Sequence, residues 1–387
     1  MDTQQKQKTK KKIVIATDNF APKKDGVTKF LETVIEELGN RYEIVILAPS
    51  YSSASYTENF KDAKVIRFPT SHIFSLGGYG GVITRPKRIE QYLHDADIVW
   101  LNSMSPFAMA TLRAAKRHGK PVITYKHAIQ WELVSHMLVR SSKLTKRIIT
   151  GLVVLLVRYF YNQCDLLMVP SKNVAKTLQD KGITARKVIV PLGMDCDIFA
   201  PAQNKATAKQ KINILPRKLV IGYCGRLSKE KDLPTLAKAF AALQRRHLNL
   251  FLLIVGDGTR REITQYVKRD VCITGFVDDV VPYLQAMDIF VLPSLTETTS
   301  LATLEAMSCG VPPVATPVGH VVEYIEHNFN GMLFPRQNVD VLEARLERLI
   351  GRPEIRERFG ALARKTVITR HSWEKTIAQI DKILGRY

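Results

Sequence analysis

Residues 289–316 read I-F-V-L-P-S-L-T-E-T-T-S-L-A-T-L-E-A-M-S-C-G-V-P-P-V-A-T and hold a complete strand–loop–helix–strand pattern. The apolar run Ile289–Leu292 predicts a buried strand, which ends at the proline that follows it. A polar loop comes next, and Thr299 or Ser300 is suited to cap a helix over Leu301–Ser308. Another apolar run follows the glycine. A helix between two buried strands is the usual connection of a parallel sheet.

The same alternation extends through the rest of the chain and restarts near its middle. The predicted strands are Lys12–Ala16, Glu43–Ala48, Lys64–Phe68, Asp97–Leu101, Val122–Tyr125 and Leu166–Val169 in the first half, and Lys218–Cys224, Leu250–Val255, Cys272–Thr274, Ile289–Leu292 and Val311–Ala315 in the second. Predicted helices include Val27–Leu38, Pro106–His118, Leu233–Arg246 and Leu301–Ser308. This pattern predicts two doubly wound α/β domains, each of which binds ligands at the carboxyl ends of its strands. Two such domains face to face form a cleft.

The predicted organisation has five parts. Residues 1–12 form a basic tail, 13–190 the first domain and 191–217 a polar linker with three prolines. Residues 218–370 form the second domain. A C-terminal helix over 371–387 is expected to return to the first domain.

Composition narrows the class of protein. The 387 residues include 57 Lys and Arg against 36 Asp and Glu, a formal charge of +21, which favours anionic partners. The five Cys lie far apart, which argues against a zinc ribbon or a disulfide scaffold and suggests a reducing compartment. The longest nearly apolar run is Ile148–Val157, whereas a membrane-spanning helix needs roughly 20 residues. We therefore expect a soluble or peripheral protein without a secretion signal.

Two pairs of charged residues indicate the chemistry of the second domain. Glu297 lies in the loop before the predicted helix and Glu305 within it, and carboxylates accept hydrogen bonds from sugar and ribose hydroxyls. Arg226 and Lys231 follow a predicted strand end and suit a diphosphate, which Arg binds as a fork and Lys as a point charge. The alternative for each pair is a set of solvated or capping side chains.

Short motifs follow one another through nearly the whole chain. They are P-K-K-D-G-V-T (Pro22–Thr28), Y-K-H (Tyr125–His127), V-P-S (Val169–Ser171), V-P-L-G-M-D-C-D-I-F (Val190–Phe199), G-R-L-S-K-E-K (Gly225–Lys231), V-G-D-G (Val255–Gly258), I-T-G-F-V (Ile273–Val277) and the pair Glu297 and Glu305. In these motifs and their order the chain resembles the retaining glycosyltransferases of family 4, which have the GT-B fold of two Rossmann-like domains.

The resemblance implies a role for each matched residue. Gly26 belongs to the loop over the diphosphate, and His127 and Glu297 are the catalytic residues beside the donor sugar. The other donor-binding residues are Arg226 and Lys231 at the diphosphate, the main-chain N–H groups of Leu301 and Ala302 at phosphate, and Glu305 at the ribose. The implied co-substrate is a UDP- or GDP-sugar. No cofactor or metal is expected, and the D-x-D sequence at Asp195–Asp197 is assigned to an interdomain loop.

The chain also departs from the common family pattern. Glu297–Ser300 reads E-T-T-S where many members have E-G-F-G. A Thr after the first Glu is similar to the branch that glycosylates lipids, which includes diacylglycerol glucosyltransferases and sulfoquinovosyl diacylglycerol synthases. Asn102 stands where a His is frequent, and Gly319-His320 stands where Gly-Gly is common.

The first half is the more basic one, and the resemblance places the acceptor there. Residues 1–200 hold 30 Lys and Arg against 17 Asp and Glu, a balance of +13. Leu133–Cys164 contains no acidic residue, and its apolar residues recur at helical spacing. Such a segment is typical of an interfacial membrane helix. The predicted membrane-binding residues are Arg140, Lys143, Lys146 and Arg147. The alternative is a core helix with solvated charges.

These observations favour a retaining, metal-independent hexosyltransferase that acts on a lipid acceptor, of the diacylglycerol type or another membrane lipid. We expect it to lie peripherally at the inner face of the cell membrane. One alternative is a soluble acceptor, such as a polysaccharide or a small polar molecule, and another is a non-catalytic glycan-binding homologue. A nucleic-acid partner is disfavoured because no recognition motif is present and the basic residues are dispersed.

Overall fold

The computed structural model describes residues 10–23, 26–50, 54–76, 79–82, 84–137 and 142–387. In the first half the strands are β1 (Lys12–Ala16), β2 (Glu43–Pro49), β3 (Tyr56–Phe60), β4 (Ala63–Phe68), β5 (Thr70–Leu76), β6 (Tyr79–Val82), β7 (Ile98–Leu101), β8 (Val122–Tyr125), β9 (Leu166–Val169) and β10 (Lys187–Ile189). The helices of this half are α1 (Gly26–Leu38), α2 (Pro86–Leu93), α3 (Pro106–Arg117), α4 (Gln130–Met137), α5 (Lys143–Tyr161) and α6 (Lys172–Asp180).

The main sheet of the first half has the strand order β10-β9-β8-β7-β1-β2-β4-β3, and β5 pairs with β6 separately. All neighbours in the main sheet are parallel except the edge strand β3, which runs antiparallel to β4. The central strands β1 and β7 are apolar on both faces because helices cover both sides of the sheet.

The second half repeats this architecture. Its strands are β11 (Leu219–Cys224), β12 (Leu250–Val255), β13 (Val271–Ile273), β14 (Ile289–Leu292), β15 (Pro313–Ala315) and β16 (Met332–Leu333). The helices are α7 (Lys205–Lys211), α8 (Leu233–Gln244), α9 (Arg261–Thr264), α10 (Val281–Ala286), α11 (Leu301–Ser308), α12 (Val321–Tyr324), α13 (Val339–Ile350), α14 (Pro353–Arg370) and α15 (Trp373–Leu384), with a 3₁₀ turn at Lys229–Lys231. The sheet is parallel throughout, in the order β13-β12-β11-β14-β15-β16.

The prediction of two doubly wound α/β domains is confirmed. The interval 191–217 differs from a plain linker, because it contains α7. This helix packs on the second domain, where the Nζ atom of Lys205 donates to the carbonyl of Gln285 at 2.9 Å and Lys209 pairs with Asp288 at 2.7 Å. At the other end, α15 packs on the first domain beside α1, and Tyr42 donates to the carboxylate of Asp381 at 2.9 Å.

The two sheets face each other through the carboxyl ends of their strands, and several contacts cross between them. Glu323 of α12 accepts the backbone N–H of Asn173 at 2.5 Å, at the N-terminus of α6. The side-chain amide of Asn173 donates to the carbonyl of Gly319 at 2.8 Å. A cleft between the two sets of strand ends is therefore the place where loops of both domains meet.

Candidate active site

The floor of the cleft in the second domain is made by closely approaching backbones. Gly225 follows β11 with φ +144°, and Gly256 follows β12 with φ +137°. A Cβ atom on Gly256 would lie 2.0 Å from the carbonyl oxygen of Gly225, so only glycine fits there. This approach fixes the loop after β11, and the hydroxyl of Tyr223 supports it by donating to the carbonyl of Arg226 at 2.8 Å.

Lys231 and Glu297 meet at this floor. The Nζ atom of Lys231 lies 2.5 Å from Oε1 of Glu297, and the hydroxyl of Ser294 donates to the same oxygen at 2.8 Å. The two charged side chains are only 17% and 10% exposed. Both of these hydrogen bonds reach Oε1, which leaves Oε2 as the oxygen available to a ligand. The structure thus brings together two residues that the sequence places 66 positions apart.

Arg226 projects from the same loop but remains open to solvent. Its side chain is 65% exposed, and its guanidinium lies 3.5 Å from the carboxylate of Glu230. A long exposed arginine with one weak partner is free to reorient toward an incoming anion. Its assignment to a diphosphate therefore stays a prediction, as does that of Lys231.

Helix α11 begins four residues after Glu297, at Leu301, and points its N-terminus into the cleft. Ser300 is its N-cap and accepts the N–H of Thr303 at 3.3 Å, while Thr299 instead contacts Nδ1 of His320 at 3.3 Å. Gly26 of the first domain approaches this end, because a Cβ atom there would lie 2.6 Å from Cδ1 of Leu301. The N–H groups of the first helical turn form a site that favours an anion.

Glu305 lies one turn further along α11, in a strongly desolvated position. Burial raises the pKa of its carboxyl to about 7. Its negative charge also raises the pKa of the Cys224 thiol at the end of β11, though less than burial does. Within the described part of the chain, no side chain is hydrogen-bonded to this carboxylate. Ligand hydroxyls that donate to it would lower its pKa and relieve the cost of ionisation.

We expect nucleotide affinity to depend on pH through Glu305. Hydroxyl groups donate best to the ionised carboxylate, so affinity should be highest above the pKa of about 7 and should fall as the pH drops through that value. If only the ionised form binds, the loss between pH 8 and pH 6 is about tenfold. Isothermal titration with UDP and GDP at both pH values measures it.

The ligand's own phosphate also titrates in this range, so the Glu305→Gln variant serves as the control. The wild type should lose about tenfold more affinity than the variant over the same pH interval. Equal losses in the two proteins would remove Glu305 from the nucleotide site.

On the first-domain side of the cleft, His127 is held by Asn102, which sequence reasoning did not assign to the site. Its Nε2 donates to Oδ1 of Asn102 at 2.9 Å, and its ring packs edge-on against Phe30 at 5.2 Å. Burial, with a smaller effect of Lys126, lowers the pKa of His127 to about 3. The imidazole is therefore neutral at pH 7, and its Nδ1 is an acceptor. The available signal for Asn102 was its place directly after a predicted strand.

A second contact that the sequence did not predict joins the two domains across the cleft. The hydroxyl of Thr296 donates to the carboxylate of Glu132, which lies on α4 of the first domain. Helix α4 also lies against the 3₁₀ turn that carries Lys231. The loop that holds Glu297 is thereby tied to the first domain.

Two protein-family models match the chain that carries this site. Residues 24–246 match the family Glycosyltransferase Family 4, which covers more than half of the chain, and residues 204–366 match Glycosyl transferases group 1. The chain belongs to glycosyltransferase family 4. It is therefore a glycosyltransferase, and the predicted family is confirmed.

Characterised relatives of this glycosyltransferase match almost end to end. It is 24% identical over 395 residues to a GDP-mannose-dependent alpha-(1-6)-phosphatidylinositol monomannoside mannosyltransferase of Mycolicibacterium smegmatis, covering 96% of this chain and 98% of the relative. It is 24% identical over 362 residues to the alpha-monoglucosyldiacylglycerol synthase of Streptococcus pneumoniae, covering 89% of this chain and 80% of the relative. Both names specify a lipid.

Solved structures agree in fold. HepE of Anabaena, solved with UDP and glucose, matches with a TM-score of 0.75 at 19% identity and covers 97% of this chain and 99% of its own. The sucrose-phosphate synthase of Thermosynechococcus elongatus matches with the same TM-score at 16% identity, again over 97% and 99%. At these identities the likeness confirms the fold of two facing α/β domains (GT-B).

The D-x-D sequence of the glycosyltransferase forms a turn. Oδ1 of Asp195 accepts the N–H groups of Asp197 at 3.1 Å and of Ile198 at 2.9 Å. This is an Asx-type turn at the crossover between the domains. Among the residues that the structure describes, no group of three or more His, Cys, Asp or Glu side chains could hold a metal ion.

The acid-free segment of the first domain includes the end of α4 and all of α5, and α5 has two apolar faces. One face packs on the domain core through Val157, Phe160 and Tyr161. The other, called here the apolar stripe, consists of Leu144, Ile148, Leu152, Leu155, Leu156 and Tyr159, which are between 54% and 69% exposed. At about 100° per residue, the apolar stripe occupies roughly a third of the helix circumference, opposite the core face.

Basic residues lie beside this surface. Lys143 and Arg147 are both exposed. From the helical spacing, Arg147 flanks one edge of the apolar stripe, whereas Lys143, the first residue of α5, lies on the same side of the helix as Tyr161. Lys146 is half-buried and lies toward the core side. Arg140, also predicted to bind membrane, lies outside the described residues. In the described ranges, no helix is both long enough and apolar enough to cross a bilayer.

Proposed function

We propose that this glycosyltransferase moves a hexose from a UDP- or GDP-sugar to a lipid acceptor at a membrane surface, with retention of the anomeric configuration and without a metal ion. The observation that carries the lipid acceptor is the apolar stripe of α5, which is exposed, is flanked by Arg147 and begins next to Lys143 at the N-terminal end of the helix. It lies on the domain whose strand ends face the donor loops.

The donor is held by groups that the fold places around one end of α11. Glu305 accepts the ribose hydroxyls, and the first N–H groups of the helix, at Leu301 and Ala302, contact phosphate. Lys231 and Arg226 neutralise the diphosphate. Oε2 of Glu297 accepts a hydroxyl of the hexose, while its pairing with Lys231 limits repulsion of the phosphates.

The reaction follows from this placement of charge. The bond between the anomeric carbon and the diphosphate oxygen breaks, and its electron pair stays on the phosphate. The acceptor oxygen bonds to the anomeric carbon, and its proton passes to the departing diphosphate. Negative charge thus accumulates beside Lys231, Arg226 and the N-terminus of α11, which stabilise it more strongly than they stabilise the neutral sugar. Neutral His127 accepts a sugar hydroxyl at Nδ1.

Membrane docking brings the lipid to this cleft. The apolar stripe presents several large side chains, and insertion of such groups combines with electrostatic attraction to anionic lipid. Each Lys or Arg near an anionic leaflet contributes about 1 kcal/mol. The overall charge of +21 and the balance of +13 in residues 1–200 favour the same surface. Reversible, peripheral binding is the result.

The test combines a donor panel with lipid vesicles. Purified protein is incubated with UDP-glucose, UDP-galactose, GDP-mannose and related donors, with lipid-extract vesicles present or absent, and nucleotide release is measured. We expect one donor to react at least tenfold faster with vesicles, and the rate to persist in EDTA. The glycolipid product should show the donor's anomeric configuration by NMR.

Abolition by EDTA with rescue by magnesium or manganese would disprove metal independence. An inverted product would disprove retention, and stimulation by soluble acceptors alone would disprove the lipid acceptor.

A further inference from the structure

Three side-chain atoms at the carboxyl ends of β1 and β7 are enclosed and have no hydrogen-bond partner. They are Oδ1 of Asp18, Oδ1 of Asn19 and Nδ2 of Asn102. Leaving a buried polar group unsatisfied costs about 1–3 kcal/mol, so such atoms are rare in protein interiors. Three such atoms at the ends of adjacent strands indicate that a bound ligand supplies their hydrogen-bond partners.

A hydrogen bond ties Asp18 to the loop after β7 that carries Asn102, and Asn19 follows Asp18 in the chain. The hydroxyl of Ser103 donates to the other carboxylate oxygen of Asp18, and the backbone N–H of Asn102 donates to the carbonyl of Ala16 at 2.9 Å. The other amide atom of Asn102 accepts from His127. Asp18 is strongly desolvated, and burial raises the pKa of its carboxyl, while the nearby hydroxyls of Ser103 and Ser105 lower that pKa by less. The cluster therefore adjoins the residue assigned to the donor sugar.

The unpartnered atoms are two hydrogen-bond acceptors and one donor. Asp18 and Asn19 each present an acceptor oxygen, and Asn102 presents a donor N–H. A hydroxyl both donates and accepts, so vicinal hydroxyls of a ring satisfy such a set, whereas alkyl chains do not. A diacylglycerol has one hydroxyl, and the reaction consumes it at the anomeric carbon. It would leave the acceptor oxygens of Asp18 and Asn19 unsatisfied.

We propose that Asp18, Asn19 and Asn102 bind non-reacting hydroxyls of the acceptor, whose head group is therefore a sugar or a cyclic polyol already attached to the lipid. This inference rests on the proposed function, since it concerns the acceptor of the same transfer. The enzyme extends an existing head group and does not add the first sugar to diacylglycerol. A reaction that attaches a polyol or sugar to a lipid must precede it.

The first experiment compares acceptors in vesicles of equal surface charge, set with dioleoyl phosphatidate. The vesicles contain phosphatidylinositol, monoglucosyldiacylglycerol or dioleoylglycerol, and nucleotide release is measured with the donor that supports hydrolysis. We expect at least one polyol-bearing lipid to raise the rate tenfold or more, and dioleoylglycerol to leave it within twofold of the hydrolysis rate. Stimulation by dioleoylglycerol alone would overturn the proposal while leaving the lipid acceptor intact.

A parallel experiment with soluble acceptors distinguishes the polyol site from the lipid acceptor. It uses myo-inositol and methyl glucosides at millimolar concentration without vesicles. If these compounds stimulate and no lipid does, the polyol site stands and the lipid acceptor of the proposed function fails.

The second experiment replaces the residues of the cluster. Asp18→Ala and the isosteric Asp18→Asn should each raise the KM for the stimulating acceptor at least tenfold, with acceptor-independent donor hydrolysis unchanged within twofold. Asp180→Ala, an exposed site on α6, is the matched control and should change neither. The isosteric variant preserves the fold if the alanine variant does not. An unchanged acceptor KM in Asp18→Asn, or a raised KM for the donor in hydrolysis, would overturn the assignment.

Discussion

The Lys231→Ala variant is expected to transfer sugar about 10- to 150-fold more slowly than the wild type at saturating donor. A hydrogen bond to a charged group contributes roughly 1.5–3 kcal/mol, which corresponds to that range. Two effects act in the same direction. The diphosphate loses a cation as it leaves, and Glu297, which is 10% exposed and 2.5 Å from Lys231, is left as an uncompensated negative charge beside the phosphates.

The measurement is turnover of purified variants, with thermal unfolding followed in parallel because an unpaired carboxylate also lowers stability. Lys229→Ala is the matched control, since Lys229 lies in the same 3₁₀ turn but is exposed. It should retain activity within twofold. Folded Lys231→Ala with turnover within threefold of wild type would show that the lysine does not stabilise the leaving group.

The sequence predicts the bounds of those strands and helices that consist of an uninterrupted run of mostly apolar residues. Val122–Tyr125, Leu250–Val255 and Leu301–Ser308 have the predicted bounds, because an apolar run flanked by turn residues has few alternatives. The pair β5 and β6 was not predicted, since its sequence is rich in Gly and Ser. Helix α7 was not predicted because its sequence, K-A-T-A-K-Q-K, has no apolar period. It depends on tertiary contacts through Lys205 and Lys209.

The sequence likewise predicts some features of the candidate site and not others. Motifs at strand ends predict which loops face the cleft, and the structure brings Lys231 together with Glu297. Sequence alone does not reveal that Asn102 orients His127, because the two lie 25 residues apart, in the loops after two different strands. Nor does it reveal the contact between Glu132 and Thr296, 164 residues apart. Such pairs depend on the register of the strands and on the approach of the domains.

The second large effect is expected at the membrane. Lys143→Glu combined with Arg147→Glu changes the charge at the N-terminal end of α5, where the apolar stripe begins, by four units. At about 1 kcal/mol per charge this is about 4 kcal/mol, or several hundredfold in partitioning. The wild type should sediment with vesicles containing anionic lipid and stay in solution with zwitterionic ones. The double variant should stay in solution with both. Sedimentation of the wild type should weaken with salt, because attraction acts within a Debye length of about 8–10 Å.

Charge reversal elsewhere on the molecule distinguishes a local contact from the effect of net charge. Lys268→Glu combined with Arg269→Glu makes the same four-unit change at exposed positions of the second domain and should sediment nearly as the wild type does. Leu152→Ser combined with Leu156→Ser tests the apolar contribution and should weaken sedimentation even at low salt. Donor hydrolysis should stay within twofold in every variant, since these residues lie outside the donor loops. If the charge-reversed α5 variant sediments normally while the second-domain variant does not, the membrane contact belongs to the other domain and α5 presents its apolar stripe to something else.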